Sequence, residues 1–271
     1  MNTLETIKLF EKAYKAKTDN NYWNQIFQLR KFTTQEMISE CFLLIDSDDL
    51  KSKQIGIDIL SQLGSNRKSF IHKMFDKIFY FFETFNNENL IFTSLFAIGH
   101  NNEYLKIKHL KILEKFKNSK STDVRYALTF SLLGVEKKIA IDMLIELAQD
   151  KSSKIRDWAT FGLGTQIETD NEEIRNVLYK NSLSNNNQIR QEAIKGLANR
   201  DDERVEKIIL SELHNENFCT LFFDTLLNIK NGEQYLPLII NIYEKYKHDQ
   251  DINTEWLYDL KNCIKVLQEY N

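Results

Sequence analysis

Metal sites and most catalytic centres are built from histidine, cysteine and carboxylate side chains, and these are irregularly spaced in this chain. The five histidines and three cysteines form no CxxC and no HExxH motif. The densest acidic cluster, Asp46-Ser47-Asp48-Asp49, stands where one helix is predicted to end and the next to begin, so helix capping explains it. The sequence therefore predicts no metal site and no cofactor.

Motifs for nucleophilic catalysis and phosphate binding are also missing from the sequence. It has no GxSxG and no GxxxxGK[ST] segment. Gly162-Leu163-Gly164 supplies a GxG, but this closes a helical segment in a chain without strand patterns, which favours close packing and a helix C-cap. We therefore expect a protein that is not an enzyme. The alternative that stays open is an enzyme whose pocket holds an acid or a base with a shifted pKa, because sequence patterns do not reveal such a group.

The composition indicates long helices joined by short polar turns. Eight glycines and one proline in 271 residues are too few for the tight corners of a sandwich or barrel. The net charge of −3 argues against a dedicated nucleic-acid or membrane-surface binder. An odd number of cysteines excludes a complete disulfide framework, and no apolar run resembles a signal peptide or a membrane span. These features predict a cytoplasmic protein with no membrane partner.

A pattern of roughly 34 residues recurs along the chain. Clear copies begin at Ile55, Leu90, Val124, Ile155 and Ile189, and weaker copies begin near Phe218 and Trp256. Within each copy the first, fifth, eighth and ninth residues are mostly apolar or small, which places one packed face on an amphipathic helix. A second amphipathic segment lies between successive copies. This two-helix period predicts an all-α fold, an α-solenoid of about seven to eight antiparallel helix pairs in a right-handed superhelix.

The repeats run on without a linker rich in proline or glycine, so the sequence predicts a single elongated domain over residues 1–271. Residues 1–50 are less regular than the rest. Residues 51–205 carry the clearest repeats, and residues 206–271 hold divergent C-terminal copies.

Three of the copies open with a pair of residues that resembles the HEAT-repeat family. These pairs are Val124-Arg125, Ile155-Arg156 and Ile189-Arg190, and an Ala/Leu-Gly pattern closes the same helices. Over residues 121–205 the chain looks like uncharacterised bacterial HEAT-repeat proteins. The resemblance implies a curved stack of helix pairs that acts as a protein-binding scaffold, and it implies no chemistry.

The third and seventh residues of each copy point away from the packed face, and in HEAT-like stacks the second helices line the concave surface. Together with neighbouring residues, these positions form the predicted partner-binding groove. Its members are Arg125, Tyr126, Phe130, Arg156, Asp157, Trp158, Phe161, Arg190, Gln191, Glu192 and Lys195. Phe92 and Phe96 hold the same positions in an earlier copy. Aromatic residues and arginine are enriched at interface hot spots, whereas strong curvature would instead bury these rings against each other.

Two interpretations are open for the arginines and two for the function. Arg125, Arg156 and Arg190 share one repeat position, so they either form a structural row with carbonyl or acidic groups of adjacent repeats or contact an acidic partner. The expected function is a non-enzymatic scaffold or adaptor that binds a protein or peptide. The alternative is a nucleic-acid-binding solenoid related to DNA-repair glycosylases, which the near-neutral charge disfavours.

Overall fold

The computed structural model describes residues 3–64, 66–216 and 218–269, and all regular secondary structure within these ranges is helical. Along the described residues, sixteen α-helices follow one another as eight successive pairs, which confirms the predicted α-solenoid. Their bounds are α1 Thr3–Lys15, α2 Asp19–Leu29, α3 Gln35–Asp46, α4 Leu50–Ser61, α5 Lys68–Thr84, α6 Glu88–Gly99, α7 Ile107–Leu113, α8 Thr122–Leu132, α9 Lys138–Leu147, α10 Ser153–Phe161, α11 Glu172–Asn181, α12 Asn187–Ala198, α13 Val205–Asn215, α14 Leu221–Asn228, α15 Leu236–Tyr246 and α16 Thr254–Glu269.

The chain divides into two compact units, Met1–Ala140 and Ile141–Asn271. In the first unit the second helices of the pairs, α2, α4, α6 and α8, pack one against the next. In the second unit α10, α12, α14 and α16 do the same. Each unit therefore has a continuous layer of second helices. The single elongated domain stays a prediction.

Side-chain caps fix where the second helices begin and which of their faces is packed. Asn87, Ser121 and Asn186 precede α6, α8 and α12, and each accepts a hydrogen bond from the backbone N–H of the residue that begins the repeat. The cap thereby sets the helix phase. In α12 all four predicted core positions are buried.

A close contact between two glycines joins α10 to α12. Beyond Phe161 the chain continues as a π-helical turn, Gly162–Gln166, that lies against α12. A Cβ atom built on Gly196 would be 2.6 Å from the Cα of Gly164. The predicted close packing of the GxG segment is confirmed. The predicted helix C-cap is also found, since Gly162 is the C-cap residue of α10, although its φ of −56° is right-handed and the chain continues into the π-helical turn.

The buried Arg200 side chain binds carbonyl groups of this π-helical turn and of the residues that follow it. Its Nη2 donates to the carbonyl oxygens of Leu163 at 2.7 Å, Ile167 at 3.2 Å and Thr169 at 3.0 Å. An irregular turn inside a core leaves carbonyl groups that need donors. Arg200 supplies these donors and so stabilises the turn beside α12.

Within the described ranges, no helix is both long enough and apolar enough to cross a bilayer. The three cysteines are free thiols, and burial raises the pKa of the Cys263 thiol to about 12. The cytoplasmic location stays a prediction.

Replacement of Gly196 by alanine tests the glycine contact. At an exposed helix position glycine to alanine stabilises by up to about 1 kcal/mol, but here the added methyl group meets the Gly164 backbone. We expect Gly196→Ala to lower the free energy of unfolding by about 1–3 kcal/mol, measured by urea denaturation and circular dichroism. Gln188→Ala, on the exposed side of α12, should change it by less than about 0.5 kcal/mol. A Gly196→Ala variant as stable as the wild type would contradict the contact.

Candidate protein-binding surfaces

The predicted partner-binding residues all belong to second helices, and they fall in both units. In the first unit α8 carries Arg125, Tyr126 and Phe130. In the second unit α10 carries Arg156, Asp157, Trp158 and Phe161, and α12 carries Arg190, Gln191, Glu192 and Lys195. Of these residues Arg125, Arg190 and Gln191 are buried, and the other eight are partly exposed.

The three repeat arginines share one contact. Arg125, Arg156 and Arg190 each donate from Nη1 to the carbonyl oxygen of the residue six positions earlier, in the joint that precedes the helix. These acceptors are Ser119 at 2.7 Å, Asp150 at 2.8 Å and Ser184 at 3.0 Å. This contact is structural, as in the first interpretation of the arginines. The carbonyl groups, however, belong to the same helix pair and not to an adjacent repeat. Contact with an acidic partner stays a prediction.

Arg190 and Gln191 also hold α12 to α13. The carboxylate of Glu212 on α13 accepts from Arg190 Nε at 2.9 Å and from Gln191 Nε2 at 2.6 Å. All three side chains are nine-tenths buried. Their contacts stabilise the scaffold and leave little of their surface for a partner.

Four partly exposed rings form a cluster in the first unit. Phe96 lies at its centre, stacked on Phe130 with ring centroids 4.9 Å apart. Phe92 is 4.7 Å and Tyr126 5.8 Å from the same ring. The rings therefore pack against each other and still reach solvent. The two alternatives for these aromatic residues, exposure in a groove and burial against each other, each hold in part.

An open groove of about 700 Å³ adjoins this cluster, between α2, α4 and α6. Trp23, Phe92 and Phe96 line it, and Trp23 is 45% exposed. At its floor the Tyr22 hydroxyl donates to the buried Asp58 carboxylate at 2.5 Å. Sequence analysis missed this groove. Asp58, a charged residue inside a run of core positions, was the one available signal.

Buried polar groups beneath the groove form a hydrogen-bond network around Asp58 and Arg30. Burial raises the pKa of Asp58 to about 6, against the Tyr22 hydrogen bond and the charge of Arg30, which lower it. Arg30 donates to the Asp58 carbonyl group and to the Gln62 side chain, and Gln62 lies 2.8 Å from the His100 ring. Burial and Arg30 lower the pKa of His100 to about 4, so its imidazole is neutral at pH 7. The arrangement is typical of a structural network and of hydrogen-bonding groups beneath a docking groove.

In the second unit, two rings and two carboxylates share the surface of α10 and α12. Trp158 and Phe161 meet edge to face with centroids 6.0 Å apart. Burial raises the pKa of Asp157, and burial together with the Asp157 charge raises that of Glu192 to about 7. Lys195 opposes this shift, but the buried Oε2 of Glu192 has no hydrogen-bond donor. The surface is apolar at the rings, and at the carboxylates Lys195 offsets only part of the raised pKa of Glu192.

Metal ligands do not gather in the part of the chain that the structure describes. Over these residues no group of three or more histidine, cysteine and carboxylate side chains could hold an ion. The absence of a metal site and of a cofactor from the whole protein stays a prediction.

Comparisons with known proteins support the fold. No family model matches the chain. Over 94 residues it is 36% identical to YibA of Escherichia coli strain K12, and this segment covers 35% of the chain but only 33% of YibA. The crystal structure of E. coli YibA is similar over 99% of this chain and 93% of that one, with a TM-score of 0.73 and 21% identity. The fold is that of an α-solenoid repeat protein.

Engineered repeat proteins are also similar to part of the chain. One engineered protein matches 73% of this chain and 98% of its own with a TM-score of 0.50 and 18% identity. A designed armadillo repeat protein matches 72% of this chain and 98% of its own, with a TM-score of 0.47 and 13% identity. The first of these likenesses concerns the fold alone, and membership of the HEAT-repeat family stays a prediction.

Removal of the Tyr22 hydroxyl tests the hydrogen-bond network below the groove between α2, α4 and α6. Tyr22→Phe takes the hydrogen-bond donor from a buried carboxylate, so we expect the free energy of unfolding at pH 7 to fall by about 1–3 kcal/mol. The loss should be smaller at pH 4, where Asp58 is protonated. The matched control is Tyr14→Phe, whose hydroxyl contacts Asp49 on the exposed surface at 3.4 Å. Equal effects of the two variants would contradict a buried network.

Neutralisation of Glu192 tests the effect of its raised pKa on the stability of the second unit. Its pKa in the folded protein, about 7, lies above the ordinary value of 4.5. A raised acid pKa gives stability that is complete below pH 4.5 and is lost as the pH rises through 7. We therefore expect Glu192→Gln to melt with a weaker pH dependence than the wild type between pH 5 and pH 8. Glu206→Gln, an exposed substitution, should keep the wild-type dependence.

Proposed function

We propose that the chain is a non-enzymatic scaffold or adaptor that binds a protein or peptide through the outer faces of its second helices. The observation that carries the proposal is the partial exposure of large rings on these faces. In the first unit they are the cluster around Phe96, and in the second unit they are Trp158 and Phe161. Partly buried rings on a rigid surface offer large contact area at a low cost in conformational entropy.

Rigidity of the scaffold supports this function. The rings lie on helices whose ends are held by side-chain caps and by arginine–carbonyl hydrogen bonds. A partner therefore meets an ordered surface and does not lose binding energy in ordering it. Apolar patches of this kind on a protein surface mark interaction sites.

In this proposal the buried residues of the predicted partner-binding groove have a structural role. Arg125, Arg190 and Gln191 hold the helices, as their burial and hydrogen bonds indicate. The partly exposed residues contact the partner. These are Tyr126 and Phe130 in the first unit, and Arg156, Asp157, Trp158, Phe161, Glu192 and Lys195 in the second.

A protein partner fits the second unit better than a nucleic acid does. Asp157 and Glu192 lie beside the two rings, and the pKa values of both carboxyl groups are already raised by burial. Phosphate groups would add negative charge to this surface, whereas nucleic-acid grooves carry an excess of positive charge. The proposal therefore assigns the surface to a protein or peptide.

Truncation of the two rings in the second unit tests the proposal. The wild-type chain, immobilised and exposed to extract of its own organism, should retain a partner identified by mass spectrometry. We expect Trp158→Ala with Phe161→Ala to reduce this capture at least about tenfold, because interface rings commonly contribute more than 1.4 kcal/mol each. Helical circular dichroism and melting temperature should stay close to wild type, since both rings are partly exposed.

Exposed apolar residues outside the second helices give the matched control. Tyr80→Ala with Leu183→Ala removes side chains that are 57% and 63% exposed, and it should leave capture unchanged. A large fall in melting temperature of the ring variant would place the rings in the core and contradict the proposal. Tight, strongly salt-dependent DNA binding in a mobility-shift assay would favour the nucleic-acid alternative instead.

A further inference from the structure

The groove between α2, α4 and α6 in the first unit has a polar floor and aromatic walls. The helix α4 packs against both α2 and α6 and therefore forms the floor between them. Trp23 lines the groove from α2, and Phe92 and Phe96 line it from α6. Its volume of about 700 Å³ lies within the range of sites that enclose a small molecule or a large side chain.

At the floor, one carboxylate oxygen of Asp58 lacks a hydrogen-bond donor. Asp58 is only 7% exposed, and it lines the groove. Its Oδ2 accepts from the Tyr22 hydroxyl at 2.5 Å, whereas no donor of the described residues reaches Oδ1. Arg30 donates instead to the backbone carbonyl group of Asp58, and the Lys51 Nζ lies 4.1 Å over the Tyr22 ring. A ligand that brings a donor to Oδ1 would complete the hydrogen bonding of this buried carboxylate.

The charges around the groove favour a donor that is itself uncharged. The lining includes three cationic side chains and two carboxylates, which are Lys17, Arg30, Lys51, Asp19 and Asp58. A cationic ligand at the floor would meet Arg30 and Lys51, and an anionic ligand would meet the Asp58 carboxylate. Like charges placed together in this way cost binding free energy, and an uncharged N–H or O–H group avoids both costs.

The aromatic walls favour a ligand with a ring. Trp23 is 45% exposed, and Phe92 and Phe96 are partly exposed, so their rings are open to edge-to-face or offset contacts. Tryptophan and tyrosine combine a large uncharged ring with one N–H or O–H donor. Gln54 and Asn89 also line the groove, and their amides form no side-chain hydrogen bond with the described residues. These amides can bind the peptide groups beside such a ring.

We infer that this groove binds a tryptophan or tyrosine side chain of a protein partner, whose N–H or O–H donates to Asp58 Oδ1 while its ring lies between the aromatic walls. The inference rests on the proposed protein-binding function and names the side chain that the first unit recognises. Phe96 belongs both to a wall of the groove and to the ring cluster already assigned to the partner. The inserted side chain and the rest of the partner would therefore share one continuous surface.

Pairs of probes that differ only in the donor test the inference on the unaltered protein. N-acetyltryptophanamide is paired with N-acetyl-1-methyltryptophanamide, and N-acetyltyrosinamide with N-acetylphenylalaninamide. Nuclear magnetic resonance titrations observed on the probe give the dissociation constants. We expect the donor to tighten binding about tenfold in each pair, because hydrogen bonds to a charged acceptor are stronger than those between neutral groups.

Three further probes define the class of ligand. 3-Methylindole has the ring without the peptide groups, so it should bind more weakly than N-acetyltryptophanamide. Tryptamine adds a positive charge to the indole and indole-3-acetate adds a negative one. Both should bind more weakly than N-acetyltryptophanamide, because the floor holds charges of both signs.

Variants of the groove locate the donor contact and the ring contact. In Asp58→Asn the amide that accepts from Tyr22 turns its NH₂ group toward the groove, so the difference within each probe pair should fall below about twofold. Asp19→Asn removes an exposed carboxylate from the same groove and should keep the tenfold difference. Trp23→Ala should weaken every probe, whereas Phe27→Ala, which removes an exposed ring of α2 outside the groove, should weaken none. Melting followed by circular dichroism shows which variants are folded, and the probe pairs on the wild type do not depend on it.

Each opposing result overturns the inference. Equal binding within the probe pairs, absence of binding, or a tenfold difference that persists in folded Asp58→Asn would exclude the donor contact. Equal or tighter binding of 3-methylindole would point to a free aromatic ligand, and tighter binding of a charged probe would exclude an uncharged one. Capture of a native partner that depends on Trp158 and Phe161 would in these cases leave the scaffold function in place, whereas loss of that dependence would count against the scaffold function itself.

Discussion

Hydrogen bonds from arginine side chains to backbone carbonyl groups hold the joints before α8, α10 and α12 and the π-helical turn beside α12. Every helix end leaves carbonyl groups without a partner inside the helix, and a solenoid has such an end at each joint. In this chain the planar guanidinium group, with five N–H donors, meets that need. Arg125, Arg156 and Arg190 do so at the joints, and Arg200 does so at the π-helical turn. Lysine, with a single point charge, would not span these acceptors in the same way.

The same hydrogen bonds decide which residues reach solvent. In α8 and α12 a side-chain cap sets the phase of the helix, and the arginine that follows the first core position ties that phase to the preceding joint. In α10 the arginine contact is present without a side-chain cap. The residue five positions beyond each arginine then lies outside the packed face, and so do most of the residues one or two positions beyond it, whereas Ala127 and Gln191 are buried. The partly exposed rings and carboxylates of both units occupy such positions, for example Tyr126 and Asp157. The binding surfaces are thus a consequence of how the helices are fixed.

Periodicity predicted the helices and the core well because both repeat with the chain. The α-helices α6, α8, α10 and α12 each begin two residues before the first core position of their repeat. The exposure of individual residues was harder to predict: Gln191 shares its repeat position with Tyr126, yet it is buried because Glu212 on α13 draws it inward. The groove above Tyr22 and Asp58 was missed because it joins the irregular α2 to residues of α4 and α6, and these meet only through tertiary packing. Contacts of this kind leave no periodic trace in a sequence.

The backbone contact between Gly164 and Gly196 has a consequence for which substitutions this part of the chain tolerates. A Cβ atom on Gly164 would lie 3.0 Å from the Glu192 carbonyl oxygen, and one on Gly196 would lie 2.6 Å from the Gly164 Cα. Glycine is the smallest residue, so a larger residue at one of the two positions cannot be offset by a smaller residue at the other. The two positions are therefore constrained together, and only a shift of the backbone would accommodate a side chain at either one.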